Sequence, residues 1–300
     1  MNLIKKLPLP ICGTMLGLFA VGNLISDYFL LGKYICGAIG FILLMLVLTK
    51  LIKYPKDILN DFKNPIITSV SGTFLMSLII LSTYIAPFNI MFASYLWMFA
   101  VFLFAILIIY FTIMFFIKNF ELKNVYASYY ITYIGIVIAS VSSPLYNQIN
   151  IGKLIFIFGS ISFIFLLGLT AYRYLKLKTP EQFKPLICIN AAPFSLLLYG
   201  YLKTFTNISY EFVIFMFIFA VIFYIFAIAK FLEYKNIPFY PSYSAFAFPF
   251  VVAALASKAT SLCLKIDYLN YLVYIQTTIA VLLVFYVFFN YCKFLFTEYN

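Results

Sequence analysis

Asn190-Ala-Ala-Pro193 lies inside one apolar stretch of the chain, and the next stretch carries Phe212-Val-Ile-Phe-Met-Phe-Ile-Phe-Ala-Val-Ile-Phe223 with no polar residue at all. The same contrast recurs throughout. Ala139-Ser-Val-Ser-Ser-Pro144 and Ser244-Ala-Phe-Ala-Phe-Pro249 interrupt two other stretches with hydroxyl, small and prolyl residues, while the stretches that alternate with these are dominated by Leu, Ile, Phe, Val and Met. Ten apolar stretches follow one another, at about 8–26, 34–52, 65–86, 90–117, 126–146, 151–172, 185–202, 209–232, 240–257 and 268–292. The odd-numbered ones are the interrupted kind. Helix-breaking and small residues are tolerated at membrane depth where protein or water satisfies the freed backbone, whereas a uniformly oily helix can face lipid. The alternation therefore predicts an inner ring of odd helices and an outer ring of even ones.

Composition supports membrane residence independently. The 300 residues are 65% hydrophobic and 10% charged, with a mean hydropathy of +1.06. A water-soluble globule of this size has no way to hide so much apolar surface. A helix needs roughly 20 residues to cross the hydrocarbon layer, so ten spans with short connections account for residues 1–300 as a single transmembrane domain, and no soluble domain is expected. The expected class is an all-α polytopic membrane protein.

The net charge of +11 reflects orientation. Of the 20 Lys and Arg residues, only Lys33, Lys153, Lys203, Lys258 and Lys265 fall on one side of the ten-span reading; the other fifteen fall at the termini or in loops after even spans. The positive-inside rule then places both termini in the cytoplasm and the chain in the inner or plasma membrane. Lys5 and Lys6 precede a long apolar run containing Pro8 and Pro10, which reads as the first span rather than a cleaved leader. No basic cluster is interleaved with stacking aromatics, so nucleic acid is not an expected partner.

Chemistry by the usual side chains is disfavoured. There is no histidine, and Cys12, Cys36, Cys188, Cys263 and Cys292 are scattered without C-x-x-C spacing. No metal site, cofactor or catalytic residue is expected, and the chain is not read as an enzyme. All nine acidic residues, Asp27, Asp57, Asp61, Glu121, Glu181, Glu211, Glu233, Asp267 and Glu298, fall in loops, tails or span ends. A proton-coupled carrier normally keeps a titratable group inside the bundle, so their placement favours a neutral conduit.

Candidate pore residues follow from the inner stretches. Ser69, Thr73 and Ser77 recur at steps of four and share one helical stripe. Ser140, Ser143, Ser195 and Ser244 repeat the pattern in later odd stretches, and Thr14 stands in the first. Such hydroxyls either line a polar passage or bond back to their own helix. Gly13 and Gly17 form a small-x-x-x-small pair better explained by close helix packing. Pro144, Pro193 and Pro249 are expected to bend the inner helices and widen a passage. Phe248 precedes Pro249 on a helix whose same-face neighbours Ser244, Val251, Val252 and Leu255 are smaller; it either plugs a narrow passage by bulk and dewetting or packs as one of 37 phenylalanines.

Pro8-Leu-Pro10-Ile-Cys-Gly13-Thr-Met-Leu-Gly17 with Gly22-Asn23, the run Ser69 to Met76, Ala139 to Pro144, Ala191-Ala-Pro193 and the Phe248-Pro249 step together resemble the tellurite-resistance/dicarboxylate transporter family, which includes bacterial TehA and the plant slow anion channels. The resemblance implies a homotrimer with one pore per protomer, lined by five inner helices from five helical hairpins in quasi-fivefold order. It also implies that Phe248 is the pore gate. Ser71-Gly72 departs from the family where relatives carry a proline, and control through long kinase-modified tails like those of the plant channels is not expected. The expected activity is passage of small inorganic or organic anions through a neutral pore. The alternative is a secondary transporter of C4-dicarboxylates or tellurite-related oxyanions; a non-transporting scaffold would need no hydroxyls along alternate helices.

Overall fold

The computed structural model describes residues 3–297; Glu298 lies outside them. Among the described residues it is all helix, with no strand. We number the apolar segments α1 (Ile11–Ile25), α2 (Leu30–Lys53), α3 (Pro65–Ile85), α4 (Ile90–Lys118), α5 (Tyr129–Tyr133 and Val137–Tyr146), α6 (Ile149–Lys176), α7 (Glu181–Thr204), α8 (Tyr210–Tyr234), α9 (Pro241–Leu264) and α10 (Leu269–Thr297). Eight of these are long and apolar enough to cross a membrane; α1 and the second part of α5 are shorter. A short helix over Pro55–Asp61 follows α2 in what the sequence reads as loop.

Burial divides the segments by parity. In the most apolar window of each helix, 78% of α3, 78% of α7 and 67% of α9 is buried, against 28% to 33% of α2, α4, α6, α8 and α10. In α1, every residue from Ile11 to Gly22 is buried. Consecutive segments pair as hairpins, α1 with α2 through α9 with α10. The odd segments also pack in cyclic order: α1 on α3, α3 on α5, α5 on α7, α7 on α9, and α9 back on α1. The exposed faces of the even helices are rich in Ile, Leu and Phe, as a lipid-facing surface requires.

Small residues allow the close crossings. A Cβ on Gly13 would stand 3.0 Å from Ser244 Cβ, and one on Gly17 2.9 Å from Ala247 Cβ, so α1 meets α9 backbone to backbone. Val137 of α5 fills the space left by two glycines, Gly159 on α6 and Gly200 on α7. Gly159→Ala should therefore lower stability by about 1–3 kcal/mol, Val137→Ala in the same chain should recover part of the loss, and Gly168→Ala, which meets nothing within 4 Å, should be neutral. Thermal unfolding in detergent checks all three; equal effects at 159 and 168 would contradict the crossing.

The prolines do not bend continuous α-helices. α7 begins as a 3-10 helix over Glu181–Ala191 and becomes α-helical at Ala192, placing Pro193 in the first α turn. Likewise α9 begins as a 3-10 helix over Pro241–Phe246, breaks at Ala247 and resumes with Phe248–Pro249 opening the α-helix. In a first turn the missing amide hydrogen costs nothing, and the fixed φ suits the helix. Pro144 lies in a 3-10 turn over Ser143–Tyr146 at the end of α5. The real break in α5 is at Gly135, whose N–H is shared between the carbonyls of Tyr130 and Ile131, each at 3.1 Å.

Candidate functional site

Three cavities lie along the ring of odd helices. The central one is narrow, about 40 Å³, and by the space one water needs it holds no more than about three or four molecules. Every odd segment contributes to its wall: Gly13 from α1, Thr73 and Met76 from α3, Tyr130 and Gly135 from α5, Ala192 and Pro193 from α7, and Ser244, Phe248 and Pro249 from α9. No charged residue is among them.

A wider vestibule of about 370 Å³ opens at the N-terminal ends of the odd segments, lined by Pro8, Asn64, Gln182 and Ser242 together with Lys50 and Asp61. Val70 and Leu186 line both it and the central cavity, so the two adjoin. A second vestibule of about 320 Å³ lies at the C-terminal ends, where Ala20, Ile79, Ile138, Tyr199 and Leu255 follow the central residues of each segment by one or two turns. Asn23, Ser26, Thr83, Ser142, Lys33 and Lys203 complete its wall.

The structure brings together Thr73, Ser244, Phe248, Pro193 and Pro249 at the central cavity. The other predicted hydroxyls are buried away from that lining. Ser69 donates to the Ile66 carbonyl and meets the Ser128 hydroxyl, Ser77 donates to the Thr73 carbonyl, Ser143 to the Ser140 carbonyl and Ser195 to the Ala191 carbonyl. Ser140 pairs with Thr204 Oγ1 at 2.8 Å. Even Thr73 returns its proton to the Val70 carbonyl at 2.7 Å. Thr14 is fully buried with no partner on its hydroxyl. Pro144 lies nine residues beyond Gly135 of the central lining, beside Ser142 and Leu145 of the C-end vestibule.

Sequence reasoning missed the α5 contribution. Tyr130, Ile131, Ile134 and Gly135 all line the centre. The available signal was Gly135 within an otherwise β-branched and aromatic run, a helix-breaking residue beside Tyr133 and Ile134. Tyr130 is anchored from behind, its hydroxyl 2.5 Å from Thr170 Oγ1 of α6.

Charge sits only at the two ends. Lys50 is buried and donates to the Leu7 carbonyl at 2.5 Å. Asp61, beside it in the N-end vestibule, has its carboxyl pushed above the ordinary carboxylate range by burial, with the Lys50 ammonium opposing. At the other end Lys258 pairs with Asp27 at 2.8 Å and holds that carboxyl below its usual value. The narrow central cavity is thus lined without charge, whereas the two wider mouths carry charged residues.

The family model described as voltage-dependent anion channel matches residues 7–292. The chain belongs to that family. It is the same group that the opening prolyl and glycyl residues resemble, and it contains the TehA-like proteins. No curated protein matches the chain directly. Membership, with the apolar helices, makes this a multi-pass membrane protein of an anion-transporting, non-enzymatic family.

Proposed function

We propose that the chain conducts small anions through the axis of its odd helices, and that Phe248 blocks the path at its narrowest point. In this reading all ten segments span the membrane as five hairpins in quasi-fivefold order. Three copies assemble as a homotrimer in the inner or plasma membrane, each with its own pore, and both termini are cytoplasmic. Thr14, Ser69, Thr73, Ser77, Ser140, Ser143, Ser195 and Ser244 form or back the pore wall.

One observation carries the reading: residues from all five odd segments meet around a charge-free cavity of about 40 Å³ that includes Phe248, between two larger vestibules. Chloride release from liposomes holding the purified protein tests it. Release faster than from protein-free vesicles, and faster again with Phe248→Ala, supports conduction; release at the protein-free rate in both contradicts it.

Conduction also acquires a pH dependence from the N-end mouth. The raised carboxyl of Asp61 takes up a proton as pH falls towards and below its elevated pKa, at a higher pH than an ordinary carboxylate, and the vestibule then loses a negative charge. Acidifying that side should raise anion entry from it, by about two- to fivefold at low salt. Asp61→Asn should give the higher current at neutral pH and abolish the dependence; an unchanged pH profile in Asp61→Asn would show that another group is responsible.

A further inference from the structure

The central cavity has few donors left for an anion. Its Thr73 hydroxyl is returned to the backbone, and the remaining wall is largely apolar. The N-end vestibule sets Lys50 against Asp61 and ties the amine to the Leu7 carbonyl. The C-end vestibule differs. Lys33, at the start of α2, and Lys203, near the end of α7, both line it, and among the described residues no carboxylate lies within ion-pair reach of either. The nearby carboxylate, Asp27, is already occupied by Lys258 at 2.8 Å.

Each of the two ammonium groups rests over a tyrosine ring, Lys33 over Tyr84 at 5.0 Å and Lys203 over Tyr199 at 5.8 Å. Tyr84 is itself fixed by its hydroxyl bond to the Phe19 carbonyl at 2.7 Å. A ring face steadies an ammonium without accepting its N–H groups in the plane, so donors remain for a ligand. Beside them the Asn23 amide gives one N–H to Thr83 Oγ1 at 3.0 Å and keeps the other, whereas the Ser26 and Ser142 hydroxyls are returned to the Asn23 and Ile138 carbonyls. Two cations outside any ion pair, with Asp27 reaching Lys203 only at longer range and itself bound to Lys258, concentrate anions in a concave space walled by apolar helices.

We propose that Lys33 and Lys203 form an anion-binding site in the C-end vestibule, which loads small inorganic anions such as halides onto the passage from that side. The site rests on the conduction reading for its role, but not for its existence. Its consequence is asymmetry: anions entering at the C-terminal ends of the odd helices are drawn in, and those entering at the N-terminal ends are not.

The test combines current and crystallography. In a planar bilayer at low salt, with Phe248→Ala as the conducting background, Lys33→Gln with Lys203→Gln should cut anion current entering from the C-end side by about threefold or more, and the difference should fade near molar salt. Lys33→Arg with Lys203→Arg should keep most of it. Loss of current equal in both directions, or none at all, would overturn the loading role. Independently, bromide-soaked crystals of the full protein should show anomalous scattering between the two amines, lost in the double Gln variant. If Phe248→Ala carries no current, conduction itself fails and the bromide signal alone decides: a peak at the lysines upholds the site, and no peak overturns it.

Discussion

Phe248→Ala should raise the anion current of the purified protein at least about tenfold, equivalent to lowering the barrier by about 1.4 kcal/mol. The expectation follows from scale. The central cavity is about 40 Å³, and Phe248 is among the bulkiest residues in its wall, 6% exposed at the first turn of the α-helical part of α9. Removing the ring both enlarges the space and takes away apolar surface that disfavours water. Phe248→Leu should lie between, and Phe248→Trp should remain closed. Truncating a buried phenylalanine costs roughly 3 kcal/mol of stability, so the variant must elute like the wild type in size-exclusion chromatography. An intact Phe248→Ala protein with wild-type current would place the barrier elsewhere.

Gly135→Ala should be the most damaging single methyl in the structure. A Cβ there would collide with the Ile131 carbonyl oxygen and stand 2.9 Å from Met76 Sδ. Neither neighbour can yield cheaply, because the carbonyl belongs to the backbone that turns the chain and Met76 is buried against the same cavity. We expect a loss of about 3 kcal/mol, seen as a lower melting temperature in detergent and a poor yield of folded protein. Pro144→Ala, in the terminal 3-10 turn, should cost about 0.5 kcal/mol. The reverse order would mean that the proline, rather than the glycine, interrupts α5.

That contrast shows where the sequence was legible. The alternation of interrupted and oily stretches anticipated the burial pattern because the lipid-facing surfaces of the even helices are Ile, Leu and Phe, whereas small residues such as Gly40 of α2 and Gly159 of α6 fall where an even helix meets an odd one. The family resemblance rested on motifs in all five odd stretches, from Pro8 to Gly17 through to the Phe248-Pro249 step, and the family match over residues 7–292 agrees with it. The helix-breaking role was harder to place. A proline in the first turn after a 3-10 segment looks, in one dimension, the same as a proline within a continuous helix, and only the structure separates Pro193 and Pro249 from true kinks.

Hydroxyl spacing had a similar limit. Steps of four identified the shared face of Ser69, Thr73 and Ser77, but a serine in a helix has a carbonyl within reach one turn back, and the hydroxyls of all three take that bond. The vestibule lysines were invisible for another reason. Lys33 and Lys203 are 170 residues apart in the chain and read only as markers of orientation; they converge because the start of α2 and the end of α7 reach the same mouth of the ring.

The most direct measurement of the whole account is the reversal potential of Phe248→Ala in a planar bilayer under a potassium chloride gradient. An anion pathway through the odd helices predicts reversal at the chloride equilibrium potential, with chloride current reduced when bulky side chains replace Ala192 at the cavity wall. Reversal at the potassium potential, or a current indifferent to Ala192, would contradict it.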